Sequence, residues 1–247
     1  MTEQKNTRDS QTAGENVYQY LRTSIIELQV KPGQTININE LSDFLKVSRS
    51  PIRDALIQLV KDGLVTTTPQ KGTIVSKIDI QRVRDERFMR ACIEERVLGE
   101  FLNSYQDSDI DALKNLLHQQ QQALRSKDAR EFLRADDAFH TVFFQATDHP
   151  FCLENVLNMS SHYYRIRLLS LSEPDICKQT YEQHEEILEL IQQKNLSKIR
   201  TLIDLHIVDK QGEETRMKRK YPELFTAVEE ADQLKGKIWE EDFLQTI

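Results

Sequence analysis

The sequence predicts a mainly α-helical protein in two parts: a short helix-turn-helix with a β-hairpin behind it, then a longer antiparallel all-α bundle. Three observations carry this. Glycine and proline are scarce, 7 and 6 among 247 residues, which favours long helices and few turns. From Asp79 onward, apolar residues recur three and four apart through successive segments. Short β-prone runs cluster directly behind a capped helix, within residues 64–76.

In order along the chain, residues 1–13 are polar without apolar periodicity and are expected to form a loose arm. Val17, Leu21, Ile25, Ile26 and Leu28 mark an amphipathic helix that stops at the turn Lys31-Pro32-Gly33. Asn37 or Asn39 then caps a short helix carrying Leu41, Phe44 and Leu45. Val47-Ser48 turns tightly into the next helix, where Ser48 or Ser50 can cap, Pro51 suits the first turn and Gly63 can close the end. Ile52, Ala55, Leu56, Leu59 and Val60 give that helix one apolar face, with Arg49, Ser50, Arg53 and Lys61 on or near the opposite one.

Two arginines and two hydroxyls at a helix N-terminus suit nucleic acid, because the backbone dipole there favours phosphate. Arginine can also fork onto guanine O6 and N7, a contact worth about 1–3 kcal/mol of discrimination. Helix, turn and helix follow in the order of a DNA-reading unit. Leu64-Val65-Thr66-Thr67-Thr68 and Thr73-Ile74-Val75-Ser76, joined by Pro69-Gln70-Lys71-Gly72, read as a hairpin. Behind a helix-turn-helix such a hairpin is a wing, with Lys71 and Gly72 at a tip that can approach phosphate or the minor groove.

Residues 14–78 resemble the winged helix-turn-helix of the GntR family of bacterial transcription regulators. The resemblance lies in Lys31-Pro32-Gly33, Asn39-Glu40-Leu41, the run from Val47 through Leu56, Asp62-Gly63-Leu64-Val65 and Lys71-Gly72-Thr73-Ile74-Val75. It implies DNA contacts from Ser48, Arg49, Ser50, Arg53 and Gly72. Asn39 stands where many members carry arginine.

The net charge of −7 is unevenly placed. Residues 1–76 carry 9 Lys+Arg against 8 Asp+Glu and the remainder 24 against 32, so the acidity belongs to the second part and the DNA-reading part is nearly neutral. Cys92, Cys152 and Cys177 are odd in number and lack metal-type spacing, so they are expected to be reduced and mostly buried. No apolar run approaches the ~20 residues of a membrane span and the first residues are polar, so a cytoplasmic, nucleoid-associated protein is expected.

The second part reads as six helices packed as a bundle. Ile80, Val83, Phe88, Ile93, Val97, Leu98, Phe101 and Leu102 line the first, and Ile110, Leu113, Leu116, Leu117 and Leu124 the second. Phe132, Leu133, Phe139, Val142 and Phe143 line a third over about 129–147, broken by Asp148-His149-Pro150. A fourth spans about 151–171, a fifth opens at Glu173-Pro174, and a sixth runs from 196 to about 220. Residues 221–247 add an amphipathic extension that could dock on its own bundle or on a partner copy.

Asp136 and His140 stand four apart on one face of the third helix, where carboxylate and imidazole can bind one metal ion. His184 and His206, on the fifth and sixth helices, are flanked by Leu and Ile in ways that turn them inward. Four buried polar groups need partners, and a shared cation satisfies all of them. His118 and His162 lack companions at ligand spacing and read as structural.

Residues 79–220 resemble the effector-binding FCD domain of the FadR-type GntR subgroup. The resemblance lies in Arg90-Ala91-Cys92-Ile93-Glu94, in the run from Phe132 through His140, and in the helices bearing His184 and His206. It implies Asp136, His140, His184 and His206 as ligands of a divalent metal, with zinc expected first and nickel or manganese as alternatives. Asp137 is the runner-up for the acidic position. It also implies a small carboxylate effector met by arginines: Arg90 matches the pattern, and Arg165 or Arg167 can supply a second fork. His149 stands where members commonly have asparagine.

The expected whole is a homodimeric regulator, a repressor, that binds a palindromic DNA operator and responds to a small organic acid at a metal centre. The alternatives are a metal-dependent hydrolase and a regulator whose signal is the metal itself. No nucleophile elbow or phosphate loop accompanies the ligands, so an enzyme is not expected.

Overall fold

The computed structural model describes residues 12–68, 72–159 and 161–226, which fall into two compact units meeting in sequence at Lys77 and Ile78. The first unit contains helices α1 (Ala13–Ile26), α2 (Ile38–Leu45) and α3 (Arg49–Lys61). Strands β1 (Thr35–Ile36), β2 (Val65–Thr68) and β3 (Gly72–Val75) form a sheet in the order β1-β3-β2, antiparallel throughout. The hairpin β2–β3 is the expected wing, and β1 adds a third strand that a two-residue stretch gave no pattern to reveal.

Local chemistry sets these bounds. Thr12 caps α1 by accepting from Glu15 N at 3.2 Å, and Asn37, rather than Asn39, caps α2. Ser48 occupies the N-cap position of α3 without a side-chain cap bond, which leaves its hydroxyl uncommitted there. Gly63 takes the left-handed conformation (φ 71°) just past α3, as its place in the sequence predicts. Ile52, Ala55, Leu56 and Leu59 are buried, whereas Val60 is 42% exposed and leaves the expected apolar face. Val17, Leu21, Ile25, Ile26 and Leu28 are all buried.

The second unit is helical: α4 (Ile80–Ser104), α5 (Asp107–Ser126), α6 (Ala129–Ala146), α7 (Pro150–Met159), α8 (Ser161–Leu171), α9 (Pro174–Gln192), α10 (Leu196–Ile203) and α11 (Gln211–Lys220). Asp79 starts α4 by accepting from Gln81 N and Arg82 N, and Asp128 starts α6 by accepting from Glu131 N at 2.9 Å. The core stacks Phe101, Phe139 and Phe143 edge to face, with ring centroids 5.1–5.4 Å apart. Phe132 and Phe144 are equally buried, and truncating one such ring costs about 3–5 kcal/mol.

Three expectations are corrected here. The stretch 196–220 is not one helix: a π-helical turn, Asp204–Val208, follows α10, and Asp209 and Lys210 leave the helical path before α11. Apolar spacing does not report which carbonyl an amide bonds to, so a π turn is invisible to it. Phe88 is 64% exposed, not inward, because Arg87 and Arg90 take the buried positions beside it. Of the cysteines only Cys177 is buried; Cys92 is exposed and Cys152 intermediate.

Lys71, at the expected wing tip, lies outside the described residues, as do the arm through residue 11 and the extension from residue 227. The described start of that extension docks on its own unit: Leu224 and Phe225 are buried, and Ile78 pairs in parallel with Phe225. Among the described residues, no helix is long and apolar enough to cross a membrane.

Candidate functional site

Ser48, Arg49, Ser50 and Arg53 are all exposed at the N-terminal half of α3, and α3 turns its buried face to α1 and α2. Gly72 is exposed at the start of β3 with φ 84°, a backbone that side-chain-bearing residues rarely adopt. A helix N-terminus with two exposed guanidinium groups and two hydroxyls, in a unit that also carries a hairpin, is the arrangement that reads DNA through a major groove.

In the second unit, Asp136 and His140 on α6, His184 on α9 and His206 in the π-helical turn come together. All four are buried, and one ligand atom from each lies within 4.8 Å of the others. His206 Nε2 is 3.1 Å from His184 Nε2 and 3.3 Å from His140 Nε2. Asp136 Oδ1 lies 3.7 Å from His140 Nε2, and Oδ2 lies 3.8 Å from His184 Nε2. Two nitrogens each about 2.0–2.1 Å from one tetrahedral ion would stand about 3.3–3.4 Å apart, so the histidine spacing fits a shared cation.

The outer nitrogen of each ring faces an oxygen. His184 Nδ1 is 2.7 Å from Gln120 Oε1, and Gln120 is itself fixed by donating through Nε2 to Ala135 O at 3.3 Å. His206 Nδ1 is 2.9 Å from Gln183 Oε1. His140 Nδ1 is 2.7 Å from Glu94 Oε2, at an angle short of a well-formed hydrogen bond but close enough for direct attraction. Oxygens of this kind accept, so a proton on each Nδ1 would leave the Nε2 lone pairs turned toward one another. A proton at one Nε2 can bridge one pair and leaves the third nitrogen without a donor. A cation satisfies all three.

Burial governs the charges. It pushes the His184 pKa down to about 3, against the opposing pull of Asp136, and pushes His206 well below its ordinary value. Burial would raise the Glu94 carboxyl, but Arg90 and His140 outweigh it and hold the group at about 2. Asp136 is likewise lowered against burial, by Arg167 first and then by His184 and His140.

Beside the cluster is a small cavity, partly open to solvent, lined among others by Asp136, His206, Arg87, Arg167, Ser170 and Thr180. Arg167 lines it while gripping Asp136 and Asp137, the latter at 2.6 Å. Asp137 is therefore an arginine partner outside the four-residue cluster. Arg90 does not line the cavity: its Nε donates to Glu94 at 2.5 Å. Arg165 is also away from the cavity, fully buried and bonded to Ser161 O and His162 Nδ1.

The sequence reading missed Arg87, one turn before Arg90, which is buried and lines the cavity. It shares the ring of Tyr163 with Arg90 and Arg167, at 5.2, 5.7 and 5.3 Å from the centroid. Arg87 Nε and Ser170 Oγ are buried donors without a hydrogen-bond partner among the described residues, and both residues line the same cavity. His149, in the loop before α7, pairs with Glu100 at 2.9 Å, away from this site.

Comparison with known proteins agrees with this division. The family described as bacterial regulatory proteins, gntR family, matches residues 13–75, and the FCD domain matches residues 87–209. The chain is 28% identical over 207 residues to the HTH-type transcriptional repressor RspR of Escherichia coli K12, covering 84% of this chain and 91% of that protein. It is 30% identical over 218 residues to an HTH-type transcriptional regulator in an unstable DNA locus of Streptomyces ambofaciens, covering 88% and 91%. Among solved structures it shares the fold of E. coli McbR/YncC (TM-score 0.70, 17% identity, 85% of this chain and 99% of that one). It likewise shares that of a GntR regulator from Rhodococcus sp. RHA1 (0.69, 17%, 82% and 96%). These relatives are transcription regulators rather than enzymes, which sets the hydrolase alternative aside. The chain belongs to the GntR family of bacterial regulatory proteins, a transcriptional regulator with a DNA-binding helix-turn-helix followed by an FCD domain.

Proposed function

We propose that this regulator is a homodimeric repressor whose hold on a palindromic operator is set by a small carboxylate bound beside a first-row divalent metal ion. The observation that carries the reading is the convergence of three Nε2 atoms whose rings each turn Nδ1 toward an oxygen. Asp136, His140, His184 and His206 would hold the ion, and three nitrogens with one carboxylate oxygen suit zinc, with nickel or manganese as alternatives. When bound, the ion would supply positive charge beside the cavity.

The surrounding side chains set the order of events. Arg84, Arg87, Arg90, Arg167 and Lys210 face Glu94, Asp136, Asp137, Glu213 and Glu214, so the charges balance. Two added positive charges tip that balance, so an anion is welcomed once the metal is in place. Arg87, Arg167 and Ser170 then offer donors to a carboxylate. Repression is the direction named for RspR and for the gluconate operon repressors among the relatives. For the dimer, Phe88 and Met89 on α4, with Leu205 and Val208 in the π-helical turn packed against it, present exposed apolar surface that a second copy would cover. Exposed Ser48, Arg49, Ser50, Arg53 and Gly72 would meet the operator half-site, and Lys71 precedes Gly72 in the sequence.

The test is elemental analysis and native mass spectrometry of the purified protein beside an Asp136→Ala/His184→Ala variant. About one transition metal per subunit, lost in the variant, together with a co-purified small acid, is the expected result. Wild type that stays metal-free after incubation with zinc, nickel and manganese would overturn the metal centre.

A further inference from the structure

Helix α11 joins the cavity to the residue at which the second unit begins. At its start, Lys210 and Glu213 line the cavity. Next along, Glu214 is buried, with Oε1 held by Arg87 and Oε2 by Arg84 at 2.9 and 3.1 Å. Farther on, Arg216 reaches Asp175 and Glu173, each at 2.5 Å, and Lys220 also reaches Glu173. At the far end, Ile78 N donates to Leu224 O at 2.8 Å and Thr226 N donates to Ile78 O at 3.0 Å. Ile78 is the first residue of the second unit, joined through Lys77 to the DNA-binding unit.

The sequence of α11, Gln-Gly-Glu-Glu-Thr-Arg-Met-Lys-Arg-Lys, contains one large apolar side chain, the buried Met217, and its other anchors are ion pairs. Such an element has a low threshold for local release compared with the aromatic core. Arg87 connects the cavity to α11: it lines the cavity, grips Glu214, and has an Nε without a hydrogen-bond partner among the described residues.

We propose that residues 210–226 form an electrostatic latch in which Glu214 is a resident carboxylate on Arg87. A carboxylate ligand entering the cavity takes Arg87 from Glu214, and the freed helix loosens the hold of residues 224–226 on Ile78. The exchange strands no buried charge, because the entering carboxylate replaces the leaving one on Arg87. Arg84, half exposed, follows Glu214 toward water. The identity of the trigger rests on the effector reading above, whereas the latch itself rests on α11 and its contacts.

Amide hydrogen exchange on the full-length, zinc-loaded protein tests both separately. In Glu214→Gln, the Ile78 and Thr226 amides are expected to exchange about tenfold faster or more, with α5 and α6 amides unchanged. Arg84→Gln, which keeps the buried Arg87–Glu214 pair, gives a smaller change in the same direction and decides the matter if Glu214→Gln unfolds throughout. Malonate, as a probe dicarboxylate, is expected to protect the amides of α8 and α9 near Ser170 and Thr180. It should speed those of Ile78 and Thr226 in wild type and add nothing in Glu214→Gln. Unchanged exchange at Ile78 and Thr226 in a folded Glu214→Gln protein overturns the latch. So does malonate that protects the cavity while leaving those two amides as they were. Failure of malonate to protect the cavity counts against the effector reading alone, and the substitutions still decide the latch.

Discussion

Replacing Gln120 with leucine tests the argument on which the metal centre rests. Gln120 is fully buried, and its carbonyl oxygen accepts from His184 Nδ1 at 2.7 Å. Leucine fills similar space and removes the acceptor. The His184 ring then has no fixed partner, and its proton is free to move to Nε2, the atom that would bind the ion. Loss of an outer partner of this kind costs about 10–100-fold in metal affinity, or about 1.4–2.8 kcal/mol. Gln120→Glu keeps an oxygen toward His184 and is expected to bind at least as tightly as wild type. The assay is zinc competition against a chromogenic chelator at neutral pH, with urea unfolding to establish that each variant is folded. If the leucine variant binds zinc within twofold of wild type, the tautomer argument is refuted. Equal losses in both variants would show that packing around Gln120 matters and the acceptor does not.

Three further outcomes are expected. Arg53→Ala weakens operator binding by about 1–3 kcal/mol if the guanidinium reads a base; if it holds phosphate, binding weakens on all sequences and the salt slope falls by about 0.9. Fluorescence anisotropy over a range of salt distinguishes these, and unchanged affinity and slope would remove Arg53 from the interface. Gly72→Ala is expected to cost about 1–2 kcal/mol from its left-handed backbone alone, since the nearest atom to an added Cβ is Thr35 Cγ2 at 4.0 Å. A loss near 4 kcal/mol in thermal unfolding would contradict this. The metal-free protein should lose stability as pH falls. Burial first, and then Arg165, hold His162 at about 3, so the unfolded chain takes up a proton from about pH 6.5 downward while the folded one does not. Stability is therefore complete above pH 6.5 and declines toward pH 3, by about 2 kcal/mol from this ring between pH 7 and 5. Urea unfolding at both pH values, in wild type and His162→Gln, measures that share, and identical pH slopes in the two proteins would contradict it.

Much of the fold was legible because its signals are local. Asn37 begins α2 by capping it, and Gly63 takes the left-handed conformation just past α3. The spacing of Asp136 and His140 placed both on one face of α6, and inward turning of His184 and His206 followed from their apolar neighbours. Other features depend on how helices are rotated against one another. Arg87 and Arg90 are three apart on α4, and the sequence does not distinguish the one that lines the cavity from the one that Glu94 occupies. Gln120 and Gln183 carry no motif, so their place behind the histidines emerges only when α5 packs on α9 and the π-helical turn closes.

The π-helical turn at Asp204–Val208 also makes this part of the chain sensitive to length. Removing one residue there would let the turn close as ordinary α-helix, because the five residues of the π turn sweep nearly the same angle as four of an α-helix. Residues beyond the turn would keep their phase, while those within it would be redistributed, and His206 would leave the place from which it faces His140 and His184. Exchanging one side chain for another in this stretch disturbs a single contact; a deletion moves the histidine itself. The number of residues between Ile203 and Asp209 is as much a part of the site as the histidine they carry.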